Sequence, residues 1–155
     1  MELINFNIKI SDLANNMPTN FDFIVENNFF ASFEDADIQG GNVKADLILT
    51  RNNSDLLIEI IIDGYVSLIC DRCLEIYQQN VYFEDEIFIN TINFDEKNDT
   101  VILFDKNKFN VNVARLIYDS VLLSLPIKHT HSEDENDNPT CNPSVLENLK
   151  KYLIN

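Results

Sequence analysis

Apolar and polar residues alternate from the start of the chain. Ile4, Phe6, Ile8 and Ile10 are separated by Asn5, Asn7 and Lys9, and this period of two predicts a half-buried strand. Ser11 to Asn16 reads as a turn or short helix. Phe21 to Val25 reads as a second strand, and Asn27-Asn28 as a break. Val43, Ala45, Leu47 and Leu49 share one face of a strand over 43–50, and Asn52-Asn53-Ser54 has turn composition. The Ile- and Leu-rich run from Leu56 to Asp63 reads as the antiparallel partner. Gly64 marks a bend or bulge, after which the ribbon continues through Val66 and Ile69 to Cys70. Ile76 to Ile89 predicts a further strand, with a kink at Glu84-Asp85. Gly40-Gly41 reads as a flexible turn, Thr91 to Thr100 as a polar loop, and Val101 to Phe104 as a short strand.

The period changes in the last third. Asn112 is placed to cap a helix whose face carries Val113, Leu116, Ile117, Ser120, Val121 and Ser124. Pro126 disfavours helical geometry in the residue before it, so the helix is expected to end near Leu125. His129 to Thr140 is a polar, acidic loop. Asn142-Pro143 then has the form of a cap followed by a first-turn proline. Val145, Leu146, Leu149, Tyr152 and Leu153 make an amphipathic stripe, expected to pack on the sheet. Strands joined by short polar turns and followed by two helices predict an α+β fold. The expected architecture is an antiparallel β meander or partly closed barrel, with C-terminal helices near 112–125 and 143–153.

Composition narrows this picture. The 155 residues contain 45% hydrophobic positions, enough to bury a core, and the length fits a single domain over 1–155. Eleven Lys and Arg stand against 26 Asp and Glu, for a formal net charge of −15. Nucleic-acid affinity rests mainly on cations that neutralise phosphates. Broad RNA or DNA binding is therefore not expected, and Lys106 with Lys108, and Lys150 with Lys151, are the small basic clusters present. Such a surface suits basic protein partners. No secretory signal or membrane-spanning segment is read in the sequence, so the expected address is the cytoplasm.

The candidate chemistry lies in three cysteines. Cys70-Asp71-Arg72-Cys73 places two thiols at a strand-to-strand turn, and Cys141 precedes the last helix. A C-x-x-C knuckle readily supplies two zinc ligands, and a structural site needs four. The sharpest assignment is Cys70, Cys73 and Cys141 with one histidine, His131 being favoured over His129. Such a site would pin the C-terminal loop to the sheet. The competing readings are free reduced thiols, or a thiol–disulfide redox pair at Cys70 and Cys73, with Arg72 lowering a thiol pKa. The redox motif belongs to a strand-to-helix setting, whereas the residues after Cys73 look like a strand. No nucleophile elbow, P-loop or dinucleotide-binding glycine pattern is present, so no catalytic residues are assigned.

Cys70-Asp71-Arg72-Cys73-Leu74-Glu75 resembles the C-x-R-C-L-E signature of the YceD family, the large ribosomal RNA subunit accumulation proteins of bacteria and plastids. Leu122-Leu123-Ser124-Leu125-Pro126-Ile127 resembles the family's helix ending in an L-x-L-P turn. His131 to Glu135 followed by Cys141-Asn142-Pro143 resembles the acidic loop, cysteine and closing helix of one branch. Ile76 stands where many members carry proline. Cys141 is alone where some branches have two late cysteines. The resemblance implies a cytoplasmic, non-enzymatic ribosome-biogenesis factor. With the charge, it implies a basic ribosomal protein or large-subunit assembly intermediate as partner, with indirect contact to RNA. Partner identity and oligomeric state are left open by the sequence, a homodimeric structural module among the alternatives.

Overall fold

A computed structural model describes residues 3–34, 37–90, 103–105, 110–133 and 140–153. The polar loop 91–100, Val101 and Ile102, Lys106 and Lys108, and the acidic residues Asp134, Glu135 and Asp137 fall outside these residues. The fold is α+β. Four strands form an antiparallel meander in the order β2 (Pro18–Glu26), β3 (Ile38–Asn52), β4 (Asp55–Ile69) and β5 (Ile76–Asn90). A smaller antiparallel sheet has the order β1 (Asn7–Lys9), β7 (Asn110–Asn112), β6 (Leu103–Asp105). Helices α1 (Asn27–Ala31), α2 (Ala114–Ser124) and α3 (Pro143–Leu153) complete the described elements. The large sheet is open, with β2 and β5 at its edges, so the meander is observed and the barrel is not.

The period-two pattern explains the main sheet. Val43, Ala45, Leu47 and Leu49 on β3 face inward with Leu56, Ile58, Ile60 and Ile62 on β4, all essentially inaccessible to solvent. Residues two apart in a strand share a face, so each contributes one continuous apolar row. Ile8 and Val111 cover part of this core from the small sheet, and Leu116, Ile117, Tyr118 and Val121 cover it from α2. The Tyr118 ring stacks on Phe33, with centroids 4.0 Å apart and planes 11° from parallel.

Several local expectations are revised. The alternation at the N-terminus is real, with Phe6, Ile8 and Ile10 buried between exposed neighbours, but only Asn7–Lys9 forms a strand. Short 3-10 turns flank it at Leu3–Phe6 and Ile10–Asp12. Gly40-Gly41 lies inside β3 and is not a turn; the bulge sits between Ile38 and Gly40. Gly64 carries no register shift, because Val43, Gly64 and Val81 stay aligned across three strands. Its glycine is required by close approach. A Cβ there would lie 2.4 Å from the Asn42 carbonyl oxygen and 2.8 Å from Val43 Cα, with φ at +153°. No register shift marks the expected kink at Glu84-Asp85 either.

The helix limits follow their signals. Asn112 accepts a hydrogen bond from the Ala114 N–H at 3.0 Å, so its side chain meets the first turn of α2 from one residue before the cap position, which Val113 occupies. Leu125 is already extended, with ψ at 143°, as Pro126 requires. Among the described residues, no helix is long and apolar enough to cross a membrane.

Candidate metal centre

The β4–β5 connection is a tight knuckle. The Leu74 N–H donates to the Cys70 carbonyl at 2.8 Å, and the Cys70 N–H donates to the Glu75 carbonyl at 2.9 Å. Closing this turn places Leu74 in the left-handed region at φ 63°. That conformation crowds a Cβ against the backbone and costs about 1–2 kcal/mol, which the two hydrogen bonds help to offset. The result aims Cys70 and Cys73 to one side of the turn, where both are buried.

Two other segments meet the knuckle there. The Asp71 N–H donates to the His129 carbonyl at 2.6 Å, and the His129 N–H donates to Asp71 Oδ2 at 2.9 Å. This reciprocal pair fixes the loop that delivers His131. The Thr140 N–H and hydroxyl both donate to the Ser132 carbonyl, at 3.2 and 2.6 Å, which brings Cys141 beside His131. Asn142 caps α3, its Oδ1 accepting from the Ser144 N–H at 3.1 Å. The same side chain donates to Glu75 Oε1 at 2.8 Å, across 67 residues of sequence.

Cys70, Cys73, His131 and Cys141 therefore converge, with one ligand atom from each lying within 4.8 Å of all the others. Cys70 Sγ is 3.6 Å from Cys141 Sγ. His131 Nδ1 is 3.5 Å from both Cys73 Sγ and Cys141 Sγ. With Zn–S near 2.3 Å and Zn–N near 2.0–2.1 Å, a tetrahedral ion separates sulfur pairs by about 3.8 Å and sulfur–nitrogen pairs by about 3.5–3.6 Å. The three measured separations sit close to those values. A disulfide is a different geometry, with sulfurs only ~2.05 Å apart, and all three cysteines are free. His129 contributes its backbone and is not part of the cluster.

The cluster has an apolar cover. Tyr77, Val145 and Leu146 pack against the three cysteines, and the Tyr77 ring lies against His131 at a centroid distance of 5.1 Å. The apolar stripe of α3 thus packs through Val145 and Leu146 on the cysteine cluster at the β4–β5 connection, beside Tyr77 of β5. Leu149 and Tyr152 further along it are exposed. Among the described residues, no partner reaches the buried Tyr77 hydroxyl or Arg72 Nη1.

Electrostatics separate the thiols. Burial opposes ionisation of Cys70. The N–H groups of Cys73, His131 and Arg72, together with the His131 side chain, outweigh it and lower the thiol from 9.0 to about 6. Arg72 acts here through its backbone, where its charge had been the expected agent. Cys141 moves the other way, to about 11, through burial and then its hydrogen bonds and repulsion with Cys70 and Cys73. Burial, followed by the charges of Cys70 and Asp71, also raises the Tyr77 hydroxyl above its usual range. Three soft donors and one imidazole, already holding anionic character at Cys70, form a donor set suited to zinc.

The family model described as large ribosomal RNA subunit accumulation protein YceD matches residues 58–150, more than half of the chain. The chain belongs to the YceD family. The matched span begins within β4, contains all four converging side chains and ends in α3, so the YceD region and the candidate centre coincide. Searches of the curated proteins and of the solved structures find no match.

Proposed function

We propose that this YceD protein is a non-enzymatic ribosome-biogenesis factor that supports accumulation of large-subunit ribosomal RNA, working in the cytoplasm. The family match over 58–150 is the observation that carries this reading. It acts by holding a basic ribosomal protein or a large-subunit assembly intermediate, and its contact with RNA is indirect. The net charge of −15 supports the indirect route, because an anionic surface repels phosphates and attracts cationic partners.

Within this reading, one zinc ion held by Cys70, Cys73, Cys141 and His131 is a structural clip. Four protein ligands leave no open position for a substrate, and the ion would join the knuckle to the loop and to α3. The burial of all three thiols weighs against the thiol–disulfide alternative, since reactive cysteines need access to their substrates. The test is complementation. In a bacterium lacking its own YceD protein, this chain should restore the ratio of large- to small-subunit ribosomal RNA. Purified large-subunit proteins should bind it without added RNA. Tight, steeply salt-dependent binding to naked large-subunit RNA would overturn the indirect route.

A further inference from the structure

The four-stranded sheet buries one face and leaves the other open. Cross-strand register lines up the open face in rows. One row runs Asp22, Asp46, Ile61, Glu84, and in the next Glu59 stands directly opposite Glu86. Like charges directly opposite each other destabilise a sheet, yet this face holds two such pairs, Asp22 with Asp46 and Glu59 with Glu86. Lys44 is the one cation among the described residues of the face, and it is already engaged with Asp46 at 2.8 Å. The carboxylates are interleaved with large apolar side chains: Ile24, Tyr82 and Phe88 are 65%, 61% and 68% exposed. On the same face lies an open hollow of about 490 Å³ whose lining includes Asp46, Glu59, Ile61, Glu84 and Glu86.

We propose that this open sheet face is a docking surface for a cationic, amphipathic protein segment. Its Lys or Arg side chains meet the opposed carboxylates, and its apolar side chains cover Ile24, Tyr82 and Phe88. The inference rests on the basic-protein partner argued above and adds where that partner sits. Charge complementarity selects the occupant. RNA would bring phosphates onto paired carboxylates, and a second copy of this chain would bring another −15. A cationic segment relieves the cross-strand repulsion that the free protein carries, and it covers apolar area that water otherwise contacts.

The experiment uses the full chain and two probes: a synthetic peptide of alternating Lys and Leu, and purified large-subunit ribosomal proteins. Titration is followed by NMR, and contacts are fixed by zero-length carboxylate–amine coupling. The expected couplings fall on Glu59, Glu84 and Glu86. The triple variant Glu59→Gln, Glu84→Gln, Glu86→Gln should bind both probes roughly tenfold more weakly, with a shallower salt dependence, and Phe88→Ser should also weaken them. Neutralising the paired charges should leave the unfolding midpoint equal or higher, so lost binding is not lost folding. Glu147→Gln on α3 serves as the control and should bind as the parent does. Equal binding by the triple variant, couplings confined to other surfaces, an RNA fragment that itself shifts the resonances of this face when added without either probe, or a dimer formed through this face would each overturn the proposal. If the peptide docks on the face and no ribosomal protein binds, the surface stands and the ribosomal partner falls.

Discussion

Cys70 Sγ and Cys141 Sγ lie 3.6 Å apart although 71 residues separate them in the chain. That distance is too long for a disulfide and close to the edge of a metal tetrahedron. Two thiols so placed, one of them anionic near neutral pH, are held together most effectively by a cation between them. The purified protein should therefore contain one zinc ion per chain. Cys141→Ser should abolish stoichiometric zinc. Chelation should speed hydrogen exchange across 129–153 first, leaving the β3–β4 ladder protected, because metal-binding energy is folding energy for the segments that supply the ligands. Equal exchange at 129–153 with and without metal would show that the loop and α3 are held by something else.

Asn142 has two duties, capping α3 through Ser144 and bonding Glu75 on the knuckle. Asn142→Ala removes both and should destabilise α3 by about 1–2 kcal/mol, with zinc affinity falling by roughly 10–100-fold, as when groups that support metal ligands are removed. Glu75→Ala removes only the cross-link and keeps the cap, so its loss should be smaller. Denaturation and competitive zinc titration of the two variants give this ordering directly. Equal losses would mean that the cap contributes nothing.

The α+β class, the long central strands and the limits of the last two helices were legible because each has a local cause. Apolar alternation sets the faces of β3 and β4, Pro126 stops α2, and Asn142-Pro143 starts α3. Strand β7 was not legible. Asn110–Asn112 is three residues long with one buried side chain, Val111, and it exists because Asn7–Lys9 pairs with it from the far end of the chain. Gly40 and Gly41 failed for a related reason. Composition marks glycine as a turn former, but here β4 approaches so closely that a Cβ on Gly41 would lie 2.5 Å from the Tyr65 carbonyl oxygen. The four-residue cluster was nameable from donor types alone. Its positioning by Asp71 and His129 was not, since one bond of that pair joins two backbone groups and the other takes the Asp71 carboxylate to a backbone N–H 58 residues away. The opposed carboxylates of the open face were equally hidden, because only register reveals which charges meet.

Leu74 sits in left-handed backbone at φ 63° and is 75% exposed. The side chain thus contributes little burial in return for its strain. Leu74→Gly should stabilise the isolated protein by about 1 kcal/mol, because glycine adopts this conformation without a Cβ clash. The greater freedom of glycine in the unfolded chain reduces this gain. Urea midpoints of the zinc-loaded parent and variant decide it. A destabilised variant would show that the Leu74 side chain makes a supporting contact outweighing its backbone cost.

The thiols also set a pH profile for the metal-free protein. Cys70 has a folded value of about 6 against an ordinary 9.0, so folding favours its ionised form. Its contribution is complete above about 9 and is lost as pH falls through 6. Cys141, raised from 9.0 to about 11, favours the protonated thiol. Its contribution is complete below about 9 and is lost as pH rises through 11. The two limbs oppose each other, so their combined stabilisation peaks near pH 9. Urea unfolding of chelated protein from pH 5.5 to 11 should follow this course, with Cys70→Ala flattening the acid limb and Cys141→Ala the alkaline one. The same separation governs metal uptake. Near pH 7.5, Cys70 is already ionised and Cys141 is not, so zinc binding must expel the Cys141 proton. Proton release, measured by calorimetry in buffers of different ionisation enthalpy, should fall when Cys141 is replaced and persist when Cys70 is. The reverse dependence would exchange the roles of the two sulfurs.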